Sequence, residues 1–136
     1  MFSNDLLQAY LNTTYQVGNC NIKIKIGQID ENLERMLDER SLEEWAFITA
    51  YNPHSVSLTE NENASRHQQL QNDVSSFTYF EGDGVGEDPT WEPEKSLLIL
   101  GLNRESAIEL GLKYGQNAIV IGRKELAAEL LVIFKD

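Results

Sequence analysis

This chain of 136 residues offers little for covalent or metal chemistry: it has one cysteine, Cys20, and two histidines, His54 and His67. A single thiol excludes an internal disulfide and suits a reducing interior. No metal-ligand spacing links Cys20 to either histidine, so no metal is expected. There is no Gly-x-Ser-x-Gly elbow and no base flanking Cys20, which removes the usual signatures of covalent catalysis. No apolar run approaches the roughly 18 residues that cross a bilayer. The opening MFSNDLLQAY carries an acid and no basic n-region, so a secretory signal is not expected either. These absences point to a cytoplasmic protein without a membrane span or a cofactor.

Positive charge is also scarce. Eleven bases against 22 acids leave a net charge of −11. That field repels phosphate backbones and disfavours direct nucleic-acid binding unless the few bases cluster. It serves solubility, or it steers docking onto a basic protein. Lys23 and Lys25 alternate on one face of an apparent strand, while Arg66, Arg104 and Arg123 are scattered. Apolar residues make up 41% of the chain, enough for one globular core.

The patterning fits one α+β domain (α/β-like) spanning 1–136, with a single mixed sheet of about five to six strands flanked by helices. Residues 1–44 read as a helix, a hairpin turned at Gly18-Asn19 and a second helix over 31–39. Residues 45–122 form the core region. WAFITAY is apolar without alternation, as in a central strand covered on both faces. Thr59 and Glu62 have capping-box spacing at the head of a polar helix that runs to about Ser75. FTYF, KSLLILGL and NAIVIG read as strands, and Asn103 caps a helix over 104–114. Residues 123–136 suggest a C-terminal helix, or a helix passing into a strand.

Gly82-Asp83-Gly84-Val85-Gly86 resembles a phosphate-binding glycine loop only superficially. Such a loop needs a helix N-terminus next, but Glu87, Asp88 and Pro89 follow. The segment from Glu81 to Glu94 therefore reads as an irregular acidic loop. Its carboxylates, Glu81, Asp83, Glu87, Asp88, Glu92 and Glu94, lack the spacing of a calcium-binding loop. Trp91 within it suits a hydrophobic plug or an exposed anchor. His67, beside Arg66 on the polar helix, reads as solvated.

Polar residues gather at the apparent ends of core strands, where a rigid scaffold meets accessible loops. The candidate ligand-binding residues are Tyr51, Asn52, His54, Asn63, Arg66, Glu94, Ser96 and Gln116. No catalytic residue is assigned among them. The segments around Phe47-Ile48-Thr49-Ala50-Tyr51-Asn52-Pro53, Asn63, Arg66, Glu94-x-Ser96 and Tyr114-Gly115-Gln116 resemble a bacterial and phage family known only as domain of unknown function 3293. The resemblance runs from Phe47 to Gly122 and leaves 1–44 outside it. It implies an Asn-x-x-Arg helix start at Asn63 and Arg66, and Glu-x-Ser and Gly-Gln pairs at Glu94, Ser96, Gly115 and Gln116. It implies no reaction, cofactor or catalytic residue.

Three functional expectations follow. The first is a non-catalytic binding or regulatory module for a small polar ligand or a protein. The second is a small enzyme with Glu94 as acid or base, Arg66 as anion clamp, and Asn52 or Gln116 orienting the substrate. The third is an acidic partner-docking protein that blocks a basic surface.

Overall fold

The computed structural model describes residues 3–87, 90 and 92–133. Its helices begin where short polar side chains accept the free amides of a first turn. Ser3 caps α1 (Asn4–Leu11), Asp30 caps α2 (Glu31–Glu39) and Asn103 caps α4 (Arg104–Lys113). Thr59 and Glu62 form a full capping box on α3 (Glu60–Asp73). The strands are β1 (Thr14–Val17), β2 (Ile22–Ile24), β3 (Glu44–Ile48), β4 (Thr78–Val85), β5 (Glu94–Leu100), β6 (Ala118–Arg123) and β7 (Glu129–Val132). They form one sheet of seven strands in the order β2-β1-β4-β5-β3-β6-β7.

The α+β class is the one the sequence implies, with more strands than expected. Every strand pairing among the described residues is antiparallel, in place of the mixed sheet suggested by the helical crossovers. The reason is that each crossover skips a strand. β3–α3–β4 leaves a gap that β5 fills, and β5–α4–β6 leaves a gap that β3 fills. The sheet also curls until its edges meet. Gly27 N–H donates to the Ala128 carbonyl at 2.8 Å, and Ala128 N–H donates to Gln28 at 2.9 Å.

Side chains alternate to the two faces of this sheet. Ala46, Ile48, Leu97, Ile99, Ile119 and Ile121 pack beneath α3 and α4. Trp45, Phe47, Leu98, Leu100 and Val120 face the other way, with Tyr15, Val17, Ile22 and Ile24, and receive Leu33 and Leu37 of α2. β3 is therefore buried on both sides, as its uninterrupted apolar run requires. The inward stripe of α3 is Asn63, His67, Leu70 and Val74. Its first turns dock by polar contacts, and only the last two residues contribute apolar burial.

Two segments differ from the sequence reading. The glycine-rich stretch is not a loop: β4 continues through Glu81-Gly82-Asp83-Gly84-Val85 and pairs with both β1 and β5. The C-terminal helix is absent from the described residues, where a turn leads into β7. Leu130 joins one core cluster, and Leu131 and Ile133 join the other. Strand alternation thus serves both faces at once, which one helical stripe cannot do. Asp88, Pro89 and Trp91, and the expectations resting on them, lie outside the described residues. Among the described residues, no helix is long and apolar enough to cross a membrane.

Candidate functional site

Antiparallel pairing puts the C-terminal end of β3 beside the N-terminal ends of β5 and β6, through Ile48 opposite Leu97 and Phe47 opposite Val120. The 49–58 turn, Glu94 and the 115–117 segment consequently share one rim of the sheet. This brings together residues far apart in sequence.

Asn52 is the hub. Its main-chain N–H donates to Asn63 Oδ1 at 2.9 Å, and Asn63 Nδ2 returns a bond to Asn52 Oδ1 at 2.9 Å. Asn52 Nδ2 donates to Glu94 Oε2 at 3.0 Å, and Leu58 N–H donates to Asn52 Oδ1 at 3.1 Å. Gln116 Nε2 donates to the carbonyls of Tyr51 and Tyr114, both at 3.1 Å. Asn117 Nδ2 donates to Ser55 Oγ at 2.8 Å.

The turn has an unusual backbone. Asn52, His54 and Ser55 have φ of 48°, 56° and 61°, in the left-handed region that non-glycine residues enter at a cost of about 1 kcal/mol or more each. Interlocking bonds hold it there. His54 N–H donates to the Gly115 carbonyl at 2.7 Å. Gly115 itself has φ +66°, and a Cβ on it would stand 2.8 Å from Pro53 Cβ, so glycine is required for this approach.

The candidate residues divide into two roles. Arg66 Nε donates to the Ala50 carbonyl at 2.7 Å and its Nη2 donates to that of Tyr114, with the guanidinium 5.5 Å above the Tyr114 ring. Ser96 is buried, and its hydroxyl donates to the Glu94 carbonyl at 3.1 Å. Arg66, Ser96, Gln116 and Asn63 thus bond to main chain or to other buried groups and brace the turn from beneath. Asn52 and Glu94 link that brace to the surface, alongside Tyr51 and His54.

Several members escaped sequence reasoning. Tyr10 of α1 reaches the rim and hydrogen-bonds with Ser55 and Asn117; burial and, secondarily, the charge of Glu94 push its phenol above the ordinary value. Ser55 and Asn117 are direct neighbours of singled-out residues, but nothing in the sequence ties Tyr10 to them. His67 is buried, against expectation. Its Nε2 lies 2.9 Å from Glu81 Oε1, an oxygen that also accepts from Gln71 Nε2, and Tyr51 meets the ring edge-on at 6.2 Å. Helical spacing from Leu70 carries the signal that places His67 inward.

Glu94 is half-buried. Desolvation raises its carboxyl above the usual range, and the Asn52 bond only partly offsets this. Its proton is therefore held to higher pH in the folded chain than in the unfolded one. Between those two values the folded state binds more protons, so stability falls as pH rises through that window. Glu94→Gln removes the ionisation and keeps an oxygen for Asn52 to bond. The variant should be more stable than the parent at neutral pH and equal to it below the ordinary carboxylate range. Urea unfolding at the two conditions tests this, and equal stability at neutral pH would refute it.

Among the described residues, no group of three or more His, Cys, Asp or Glu side chains is arranged to hold a metal ion. Two hollows lie away from the rim. One of about 430 Å³ sits at the opposite end of the sheet around Trp45, Leu102 and Leu126, and one of about 360 Å³ lies over β1 and β2. The model of a family described as "Protein of unknown function (DUF3293)" matches residues 48–119, a stretch containing every rim residue named above except Tyr10. No curated protein and no solved structure matches the chain.

Proposed function

The chain belongs to the DUF3293 family, and we propose that it is a non-catalytic binding module that takes a small polar ligand at the rim around Glu94 and Asn52. The observation carrying this reading is the Asn52–Glu94 bond at the head of a strained, internally braced turn. Such a turn presents amide, hydroxyl, phenol and carboxyl groups in one fixed geometry, which lowers the ordering cost of binding. None of the rim hydrogen bonds given above joins a nucleophile to a base, and such a set of groups suits recognition better than covalent chemistry.

The test is a thermal-shift screen with nucleotides and metabolites, followed by amide chemical-shift mapping of each hit. A ligand of the native state must raise the melting temperature. Hits should perturb amides of 52–58, 94–96 and 116–117 and bind about tenfold more weakly to Glu94→Gln. Hits that map elsewhere, or that ignore the substitution, refute the assignment.

A second reading, a small enzyme using Glu94 as acid or base, draws on the upward shift of the same carboxyl. Arg66 serves it poorly as an anion clamp, because its guanidinium is bonded to two main-chain carbonyls.

A further inference from the structure

Neither β1 nor β2 contributes to the core beneath α3 and α4, so one face of this half of the sheet lies apart from those two helices. Strand register decides what stands there. Gln16 lies opposite Lys23 on one side and Asp83 on the other, and Thr14 lies opposite Val85. Since Ile22 and Ile24 point into the core, Lys23 projects from the open face, and the exposed Lys25 just past the end of β2 lines the same hollow.

Asn12, Thr14, Gln16, Lys23, Lys25 and Glu87 line the hollow of about 360 Å³ on this face. Lys113 and Lys124 are paired with Asp73 and Asp38. Among the described residues, the ammonium groups of Lys23 and Lys25 pair with no carboxylate, although the Lys23 main-chain N–H donates to Asp30 Oδ2 at 3.0 Å, and the side chains of Asn12, Thr14 and Gln16 make no internal hydrogen bond. In a chain carrying −11, two adjacent uncompensated ammoniums beside three neutral hydrogen-bonding side chains form a distinct local environment.

We propose that this hollow binds a phosphate group. Lys23 stands in β2 and Lys25 one residue past its end, so at the rise of extended chain they are about 7 Å apart, a span that a doubly charged tetrahedral anion bridges. Asn12, Gln16 and Thr14 then supply donors to the remaining oxygens, more than a carboxylate has lone pairs to use. The general field of the chain opposes anions, so recognition acts at short range. Glu87 at its edge, Asp83 across from Gln16 and Asp30, which accepts from the Lys23 main chain, are carboxylates that weaken it.

The test is amide chemical-shift titration with inorganic phosphate at low ionic strength, against chloride at the same ionic strength. Saturable shifts should be confined to 12–16, 23–25 and 86–87, leaving 52–58 unmoved, so the outcome is separate from that at the Glu94 rim. The K23Q/K25Q variant should bind about tenfold more weakly and E87Q a few-fold more tightly. A parallel titration with N-acetyl-phosphoserine amide identifies the source. Tighter binding than inorganic phosphate assigns a phosphorylated side chain, and weaker binding assigns the free ion. Shifts that reproduce those of chloride, or that persist unchanged in K23Q/K25Q, overturn the site and leave the lysines as guards of an edge strand.

Discussion

Replacing Arg66 with alanine is expected to lower the unfolding free energy by about 3 kcal/mol, since hydrogen bonds from charged donors contribute about 1.5–3 kcal/mol each. The guanidinium serves the carbonyls of two buried residues, Ala50 and Tyr114, from opposite ends of the chain's core region. Without it Tyr114 keeps the bond from Gln116, while the Ala50 oxygen loses the side-chain donor facing it. Arg66→Lys should recover only a minor part, because one ammonium does not reproduce a planar fork. In urea the midpoint should fall with little change in slope. A loss below about 1 kcal/mol would mean that the guanidinium is not a brace, and would return Arg66 to the list of groups available to a ligand.

Gly82→Ala is expected to cost about 3 kcal/mol, at the upper end of overpacking effects. A methyl there would stand 2.5 Å from the Gln16 carbonyl oxygen and 3.1 Å from both the Phe47 ring and Val17. The oxygen belongs to the β1 main chain, so relief requires the β1–β4 pairing to open. Hydrogen exchange of residues 14–17 should accelerate by more than that of β3 and β5. Gly18→Ala, with no atom within 4 Å of the added carbon, should change stability by less than about 0.5 kcal/mol. Equal effects at the two positions would contradict the close strand approach at Gly82.

The two substitutions also mark where sequence reasoning succeeds and where it stops. Arg66 is legible as the fourth residue of an Asn-x-x-Arg helix start, yet its partners are main-chain atoms 16 and 48 residues away. Gly82 reads as loop punctuation, because glycine pairs usually mark turns. Strand β4 overrides that preference because neighbouring strands supply its hydrogen bonds on both sides. The polar stripe of α3 misled in the same direction. His67 looks like a solvated residue until helical spacing is tied to Leu70 at its buried end.

Local chemistry alone determined the four helices, the caps at Thr59 and Asn103, the doubly buried β3 and the clustering of polar side chains near strand ends. These depend on periodicity and on hydrogen bonds between near neighbours, which a linear sequence displays. The strand order, the antiparallel filling of both crossover gaps, the extension of β4 and the arrival of Tyr10 beside Ser55 and Asn117 were decided only by the tertiary structure. Each depends on which distant segment satisfies a given main-chain group or fills a given space, and no local pattern encodes that choice. The division between bracing and accessible groups at the rim is of the same kind: Asn52, Arg66, Glu94 and Gln116 are comparable polar residues until their partners are known.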